Sequence, residues 1–408
     1  MTIPASYRAL PGEPRVRELR WYGHPVRVTM PVPAGVWQQV ADTDPAVMPF
    51  QQPAWRDCVC ASGEWRDTSR LYELADGRQL VLMMARRSGT PSWLAREASW
   101  PAGWGSGGLL ATGGLRPEDV ALVGADLARS RVLSTTVRPA FDAAPAWSAM
   151  SQQAFTIPRA VHVAHFGSSF EDYLARSLTA RARSRIRATQ RNAEAAGVVV
   201  TSGNSADLVQ ALYDVYLRWA DWRAAQRNIP RHLARWRARR SEPLAKFTTV
   251  ASRLGPGCRI WIAWWHGQPV AADICLFAGQ TAIGWRAFTD RTAPARFRLA
   301  ELLAVEVLRY TCESGYRYLE LGESGGRKSL EHTKTRLGGQ QHQFAEYCFE
   351  RLPLSAGRMA FQRRRGQLED WILARRTSRA AGGPTHTDTG NPALAVWPGQ
   401  ILVNRLRP

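Results

Sequence analysis

Lysine is almost missing from this chain: of 54 basic residues among 408, three are Lys (Lys246, Lys328 and Lys334) and the rest are Arg. A GC-rich coding bias accounts for Arg in place of Lys, which singles out each Lys that remains. Long apolar runs are missing too. No stretch approaches the ~18 apolar residues of a membrane-spanning helix, and the opening MTIPASYRALPGEPRVRELR has no apolar segment of the kind a signal peptide needs. A cytoplasmic location is the expectation. Six cysteines form no C-x-x-C pair: Cys58 and Cys60 make a lone C-x-C, and the other four are scattered. No metal site is therefore expected, and free thiols in a reducing compartment are. The Gly-rich stretch from Trp100 to Gly114 lacks G-x-x-x-x-G-K-[ST], so it reads as a loop lining a cleft rather than a phosphate-binding P-loop.

Acidic residues are in short supply, and unevenly so. Residues 1–150 hold 16 Arg and 14 acidic residues, so almost all of the formal net charge of +20 falls on residues 151–408. Codon bias does not explain a deficit of acids. A field of this sign predicts an anionic partner: nucleotide or CoA phosphates, tRNA, an anionic glycan or a membrane face.

The length predicts two domains. The first, within 1–150, shows a strand or two over Arg15 to Met30 and a helix entered at Pro53. A hairpin turning at Asp76-Gly77 and a helix over Pro117 to Ser130 complete it. The second, 151–355, opens with a strand at Ala160 to Phe166. Ser169 then caps one long helix from Phe170 to about Ala196, rich in Arg. A helix over 206–227 follows, and then Arg231 to Arg240, which interleaves Arg with Trp236 and His232. Three antiparallel strands (Cys258 to His266, Val270 to Phe277, Ala282 to Phe288) precede an amphipathic helix over Ala300 to Ser314. Residues 356–408 read as a C-terminal helix and mobile tail.

The densest chemistry lies in Gly315 to Gly339, GYRYLELGESGGRKSLEHTKTRLGG. A strand ends in Glu320 and Glu323, a turn with Gly322, Gly325 and Gly326 follows, and a short polar helix carries His332 and Lys334 before stopping at Gly338-Gly339. Strand ends feeding a flexible turn are where α/β proteins place functional groups. A carboxylate at Glu320 or Glu323 can orient or deprotonate an amine, His332 is a general base on chemistry alone, and Lys334 can stabilise an oxyanion.

This segment resembles the end of the second domain in the FemAB-like and cellulose-biosynthesis-type branch of the GNAT acyltransferases. Gln51, Gln52, Pro53 and Trp55 resemble the opening of their first domain, and Arg183, Ile186, Arg187 and Gly197 their Arg-rich helix. The resemblance implies an α/β (α+β) fold of tandem GNAT-like domains, each a mixed, mostly antiparallel sheet flanked by helices. It implies direct acyl transfer to an amine or hydroxyl of a polar acceptor such as a glycan, cell-envelope precursor or small metabolite, with possible peripheral association with envelope machinery. No cofactor is expected to be permanently bound; acyl-CoA is the co-substrate, with aminoacyl-tRNA the alternative, as in the peptidoglycan-bridge branch. A non-catalytic pair binding nucleic acid or another anion is a third reading. In the bridge-forming branch the lysine matching Lys334 is implicated in catalysis. Arg286, Arg296 and Arg298 are candidates for donor phosphates, and Arg183, Arg187, Trp55 and Trp104 for substrate. Acetyl-CoA enzymes of the superfamily place a Gly-containing loop before the helix that receives pyrophosphate; here that stretch is RTAPARFRLAELL, Arg291 to Leu303, without Gly.

Overall fold

Tight turns fold the N-terminal part of the chain into hairpins. The computed structural model describes residues 14–355 and 357; the C-terminal helix and tail expected over 356–408 lie outside the described residues apart from Gly357. Strands β1 (Arg15–Trp21) and β2 (His24–Met30) are joined at Tyr22-Gly23, both at positive φ (47° and 84°), the two-residue turn whose twist matches that of paired strands. Helices α1 (Ala34–Thr43) and α2 (Pro53–Cys60) follow, then strands β3 (Trp65–Asp67), β4 (Arg70–Glu73), β5 (Gln79–Leu82), β6 (Ala85–Arg87), β7 (Arg96–Ala98) and β8 (Leu109–Ala111). The expected hairpin at Asp76-Gly77 joins β4 to β5. Helix α3 (Pro117–Ala128) leads to β9 (Ser134–Val137), the short helix α4 (Ala144–Trp147) and the long strand β10 (Phe155–His165).

The single helix expected over Phe170 to Ala196 is two: α5 (Phe170–Ser177) and α6 (Ala180–Ala195). Leu178 is extended, Thr179 caps the second helix by accepting from Ala182 N at 3.2 Å, and Arg183 Nη1 donates to Leu178 O at 2.6 Å. Strand β11 (Val199–Gly203) precedes α7 (Ala206–Ala225), α8 (Arg231–Ser241) and α9 (Leu244–Leu254). Then come β12 (Cys258–Trp265), β13 (Gln268–Ala278), β14 (Thr281–Thr289), α10 (Leu299–Glu313), β15 (Tyr318–Glu323), α11 (Lys328–Arg336) and β16 (Gln340–Glu350).

One sheet has the order β1-β2-β4-β5-β8; the other has eleven strands, β11-β12-β13-β14-β15-β10-β16-β9-β7-β6-β3. The long sheet contains the same unit twice. Strands β12, β13 and β14 form an antiparallel meander, α10 crosses over, and β15 returns parallel to β14. Likewise β3, β6 and β7 are antiparallel neighbours, α3 lies in the crossover, and β9 returns parallel to β7. Between the units the last strands are exchanged: β10 pairs with β15, and β16 pairs with β9. The sheet therefore runs unbroken from one half of the chain into the other.

Strands β12 to β14 are covered on both faces, which is why they read as nearly continuous apolar runs. On one side Leu212, Tyr216 and Phe247 of α7 and α9 pack on Ile260, Ile274 and Ile283; on the other, Leu302, Val305 and Leu308 of α10 pack on Ala263, Ala271 and Cys275.

Candidate active site

Strands β14 and β15 pair through only three positions, Thr281↔Tyr318, Ala282↔Leu319 and Ile283↔Glu320. Beyond Ile283 a bulge shifts the register between β13 and β14, so that Ile274 faces Arg286 and Cys275 faces Gly284. A bulge bends its strand and interrupts the ladder; here β14 runs on to Thr289 while β15 ends at Glu323, and the two part into a wedge. The last residue of the paired segment on β15 is Glu320.

Glu320 is nearly buried, at 9 % exposure, and its carboxylate accepts no hydrogen bond from any described residue. Burial raises it to about 7, and the neighbouring Glu323 adds to the rise. Helix α11 brings Lys334 to the same place. Leu330 and Lys334, four residues apart, form its buried stripe, and the Lys334 side chain is 1 % exposed. Its Nζ donates to the carbonyl of Gly322 at 2.6 Å, beyond the last position, Glu320, at which β15 pairs with β14. Burial lowers Lys334 to about 7; Glu320 and Glu323 oppose the fall and Arg327 adds to it. A carboxyl and an amine of one site thus both exchange protons near neutrality, where acid–base catalysis is most effective.

Around this pair the exchanged strands contribute a buried charge cluster. Glu346 on β16 accepts from Arg138 Nη2 at 2.7 Å and from Arg159 Nη2 of β10 at 2.8 Å, and Arg159 Nη1 reaches Glu323 at 3.3 Å. Burial alone would raise the Glu346 carboxyl, but Arg138 and Arg159 more than offset it and hold it below the usual range. Further along the same face, His165 and His342 meet Nε2 to Nε2 at 3.1 Å. On the opposite face of β10, buried His162 is kept below its ordinary value by burial and by Lys334.

Of the residues singled out from sequence, Glu320, Glu323 and Lys334 come together. His332 does not join them: it is exposed on α11, about 200° around the helix from Lys334. Arg286 is buried elsewhere, its guanidinium bonded to Glu242 at 2.8 Å and to the carbonyl of Gly103, beside Lys246. Trp55 is fully buried, donates to Trp104 O at 3.0 Å, and packs with Trp104 and Trp285. Arg183 is committed to carbonyls at the α5–α6 junction, and Arg187 is exposed on α6. Arg296 and Arg298 stand before α10. There Glu301, in the first turn of the helix and 8 % exposed, receives Arg185 at 2.5 Å, Arg298 at 3.3 Å and Arg336 at 3.9 Å. The end of α10 that would attract an external anion already holds a carboxylate of the chain itself.

Arg138, Arg159, Glu346 and His162 carry no local signal in the sequence; only strand pairing assembles them. Among the described residues no group of His, Cys, Asp and Glu is arranged to hold a metal ion, and no helix is long and apolar enough to cross a membrane.

Residues 180–329 match the family model described as an acetyltransferase (GNAT) domain. No curated protein matches the chain. Among solved structures it is similar to FemX, with 9% identity and a TM-score of 0.56 over 80% of this chain and 98% of that one. L-PGS from Bacillus licheniformis (10% identity, TM-score 0.45, 76% and 91% covered) and a tandem GNAT protein from the clavulanic acid biosynthesis pathway (16%, 0.44, 80% and 99%) also match. At 9% identity the likeness to FemX is one of fold. Two meander–helix–strand units, with the GNAT acetyltransferase domain matched over residues 180–329, give this chain a GNAT fold of the tandem type.

Proposed function

We propose that the wedge between β14 and β15 is the transfer site of an acyltransferase that moves an acyl group to an amine or hydroxyl of a polar acceptor by direct attack. The observation that carries this reading is the placement of two buried ionisable groups at one open strand end: Lys334, held by its bond to Gly322 O, and Glu320, two residues back along β15, each driven to about 7. In the forward step the acceptor N or O forms a bond to the acyl carbon while its proton passes to the Glu320 carboxylate. The carbonyl oxygen takes up negative charge, which the Lys334 ammonium stabilises. Collapse then breaks the acyl–sulfur or acyl–oxygen bond, and Lys334 supplies the proton the departing thiolate or alkoxide requires.

The first donor class is acyl-CoA. A second, aminoacyl-tRNA, is favoured by one specific observation: Glu301 fills the helix end at which a pyrophosphate would otherwise be received. The positive field of residues 151–408 suits either donor.

The test is a mass-spectrometric transfer assay with acetyl-CoA, longer acyl-CoAs and bulk aminoacyl-tRNA against a panel of amino sugars, polyamines and soluble glycans. Product formation lost in Glu320→Gln supports the proposal and identifies the donor. Absence of acyl transfer and of donor hydrolysis from every donor, in protein that binds one of them, would sink it and leave a binding module.

A further inference from the structure

In the proposed transfer Glu320 takes a proton at every turnover and must lose it before the next, yet the residue is buried. Two histidines lie beside it. Strand β10 runs between β15 and β16, and Val163 stands opposite Glu320 on one side and Gln340 on the other. His165 is two residues along β10 from Val163; His342 is two residues along β16 from Gln340, displaced the opposite way. Directly paired residues, and residues two apart on one strand, share a sheet face. Glu320, Val163 and both histidines therefore look out on the same side. The two rings meet Nε2 to Nε2 at 3.1 Å, so they lean toward each other over the row of Val163, which is the row of Glu320. Adjacent strands lie ~4.8 Å apart. The pair thus stands about one to two strand spacings from the Glu320 carboxyl, a gap that bridging water spans.

Packing fixes the pair. The Tyr318 ring meets His165 edge-on at 5.2 Å, Phe141 lies 5.1 Å from His342, and both aromatics rest on the cluster of Val161, Val163 and Phe344. Among the described residues neither histidine bonds to an acidic side chain. The charged groups of this face are Glu320 and Glu323 of β15, Arg159 of β10 and Glu346 of β16; Asp142 adjoins Phe141, and Lys334 reaches Gly322 of β15. Burial holds both rings below their ordinary value, and His342 adds to the fall at His165. Both are half-buried, in contact with solvent as well as with the sheet. Two neutral imidazoles bond Nε2 to Nε2 only as complementary tautomers: one carries its proton on Nε2 and has a bare Nδ1, the other carries its proton on Nδ1. A proton added at the bare Nδ1 gives a cation stabilised by the hydrogen the rings share.

We propose that His165 and His342 are the proton outlet of the transfer site, taking the acceptor's proton from Glu320 and releasing it to solvent. The inference rests on the acyl-transfer reading of the wedge and adds two residues that act through Glu320 rather than on the substrate. In this step the O–H bond of protonated Glu320 breaks, an N–H bond forms at the bare Nδ1 across the bridging water, and the carboxylate is restored. The imidazole–imidazolium pair then gives one proton to water and becomes neutral again.

The tautomers are read by long-range ¹H–¹⁵N NMR of histidine-labelled protein, with assignment by His165→Gln and His342→Gln and thermal melts to verify that both variants fold. One ring protonated on Nε2 and one on Nδ1 is expected at pH 7; two rings of the same tautomer, or a charged ring at that pH, overturns the outlet. Steady-state transfer is then measured in dilute buffer. In each variant kcat is expected to fall by at least about tenfold with KM unchanged, and added imidazole, which can carry the proton in place of the lost ring, is expected to restore it. A raised KM with kcat unchanged marks a binding role and overturns the outlet. Unchanged kcat and KM mean that Glu320 returns its proton directly to Lys334, which overturns it as well. So does a fall in kcat that imidazole leaves in place, since that is a structural loss. Absence of transfer from every donor in the wild type, with the tautomer pair intact, sinks the reading of the wedge itself and the outlet with it.

Discussion

Lys334 reaches across the end of β15 and donates its Nζ proton to the carbonyl of Gly322 at 2.6 Å. That bond ties α11 to the one strand end from which the neighbouring strand has parted. It also fixes the amine beside Glu320, two residues back along β15, and explains why a long flexible side chain is held in one place while buried.

Glu320→Gln keeps the shape of the side chain and removes the base. Acyl transfer should fall by about 10²- to 10⁴-fold with little change in the thermal midpoint. Lys334→Met should cost transfer on a similar scale, about 10²- to 10³-fold, through loss of oxyanion stabilisation. Single-turnover rates and thermal melts on the same samples check both.

The transfer rate should follow a narrow bell with its maximum near pH 7, the acid limb set by Glu320 losing its proton and the alkaline limb by Lys334, which titrates over the same range, losing its own. Because the Glu320 carboxylate is what keeps Lys334 from dropping further, Glu320→Gln should move the Lys334 midpoint down. A pH–rate profile tests the first expectation and a lysine titration by NMR the second.

Gly339 is placed where a side chain has no room. An added Cβ would lie 2.8 Å from Leu321 Cδ1 and 3.0 Å from the Lys334 carbonyl oxygen. Gly339→Ala should destabilise the protein by about 1–3 kcal/mol and reduce transfer by displacing α11 from β15. Denaturant unfolding alongside the transfer assay separates the two effects.

Asp273 stands in the middle of β13, 4 % exposed, and burial raises its carboxyl to about 8. Between its unfolded value of 3.8 and about 8, the folded protein holds a proton that the unfolded chain has released. Its contribution to stability therefore falls as pH rises through that window. Asp273→Asn should match the wild type near pH 4 and melt progressively higher than it up to about pH 8. Melts across that range decide the matter; a constant difference at all pH values would contradict the assignment.

Much of this was legible because it is local. The strand, glycine turn and lysine of Gly315 to Gly339 lie within one short segment, so Glu320, Glu323 and Lys334 are brought together over a short length of chain. Ser169 caps its helix as its spacing to Asp172 predicts, accepting from Asp172 N at 3.1 Å. The break between α5 and α6 has no glycine or proline to announce it; the Thr179 cap and the Arg183 bonds that stabilise it take shape only when the chain turns. His332 shows the limit of chemistry without geometry, since two residues along a helix put it on the far side from Lys334.

By itself the sequence determined the run of elements from the β12–β14 meander through α10 and β15 to α11, the closeness of Glu320, Glu323 and Lys334 along the chain, and the excess of positive charge over residues 151–408, because each depends on neighbours or on composition. Only the tertiary structure decided that β10 and β16 are exchanged between the two units, that Glu346 is 187 positions from its partner Arg159 and 208 from its partner Arg138, and that Glu301 closes the end of α10. Those relations come from strand register and from burial, which convert ordinary charged side chains into groups that must find partners or change their protonation.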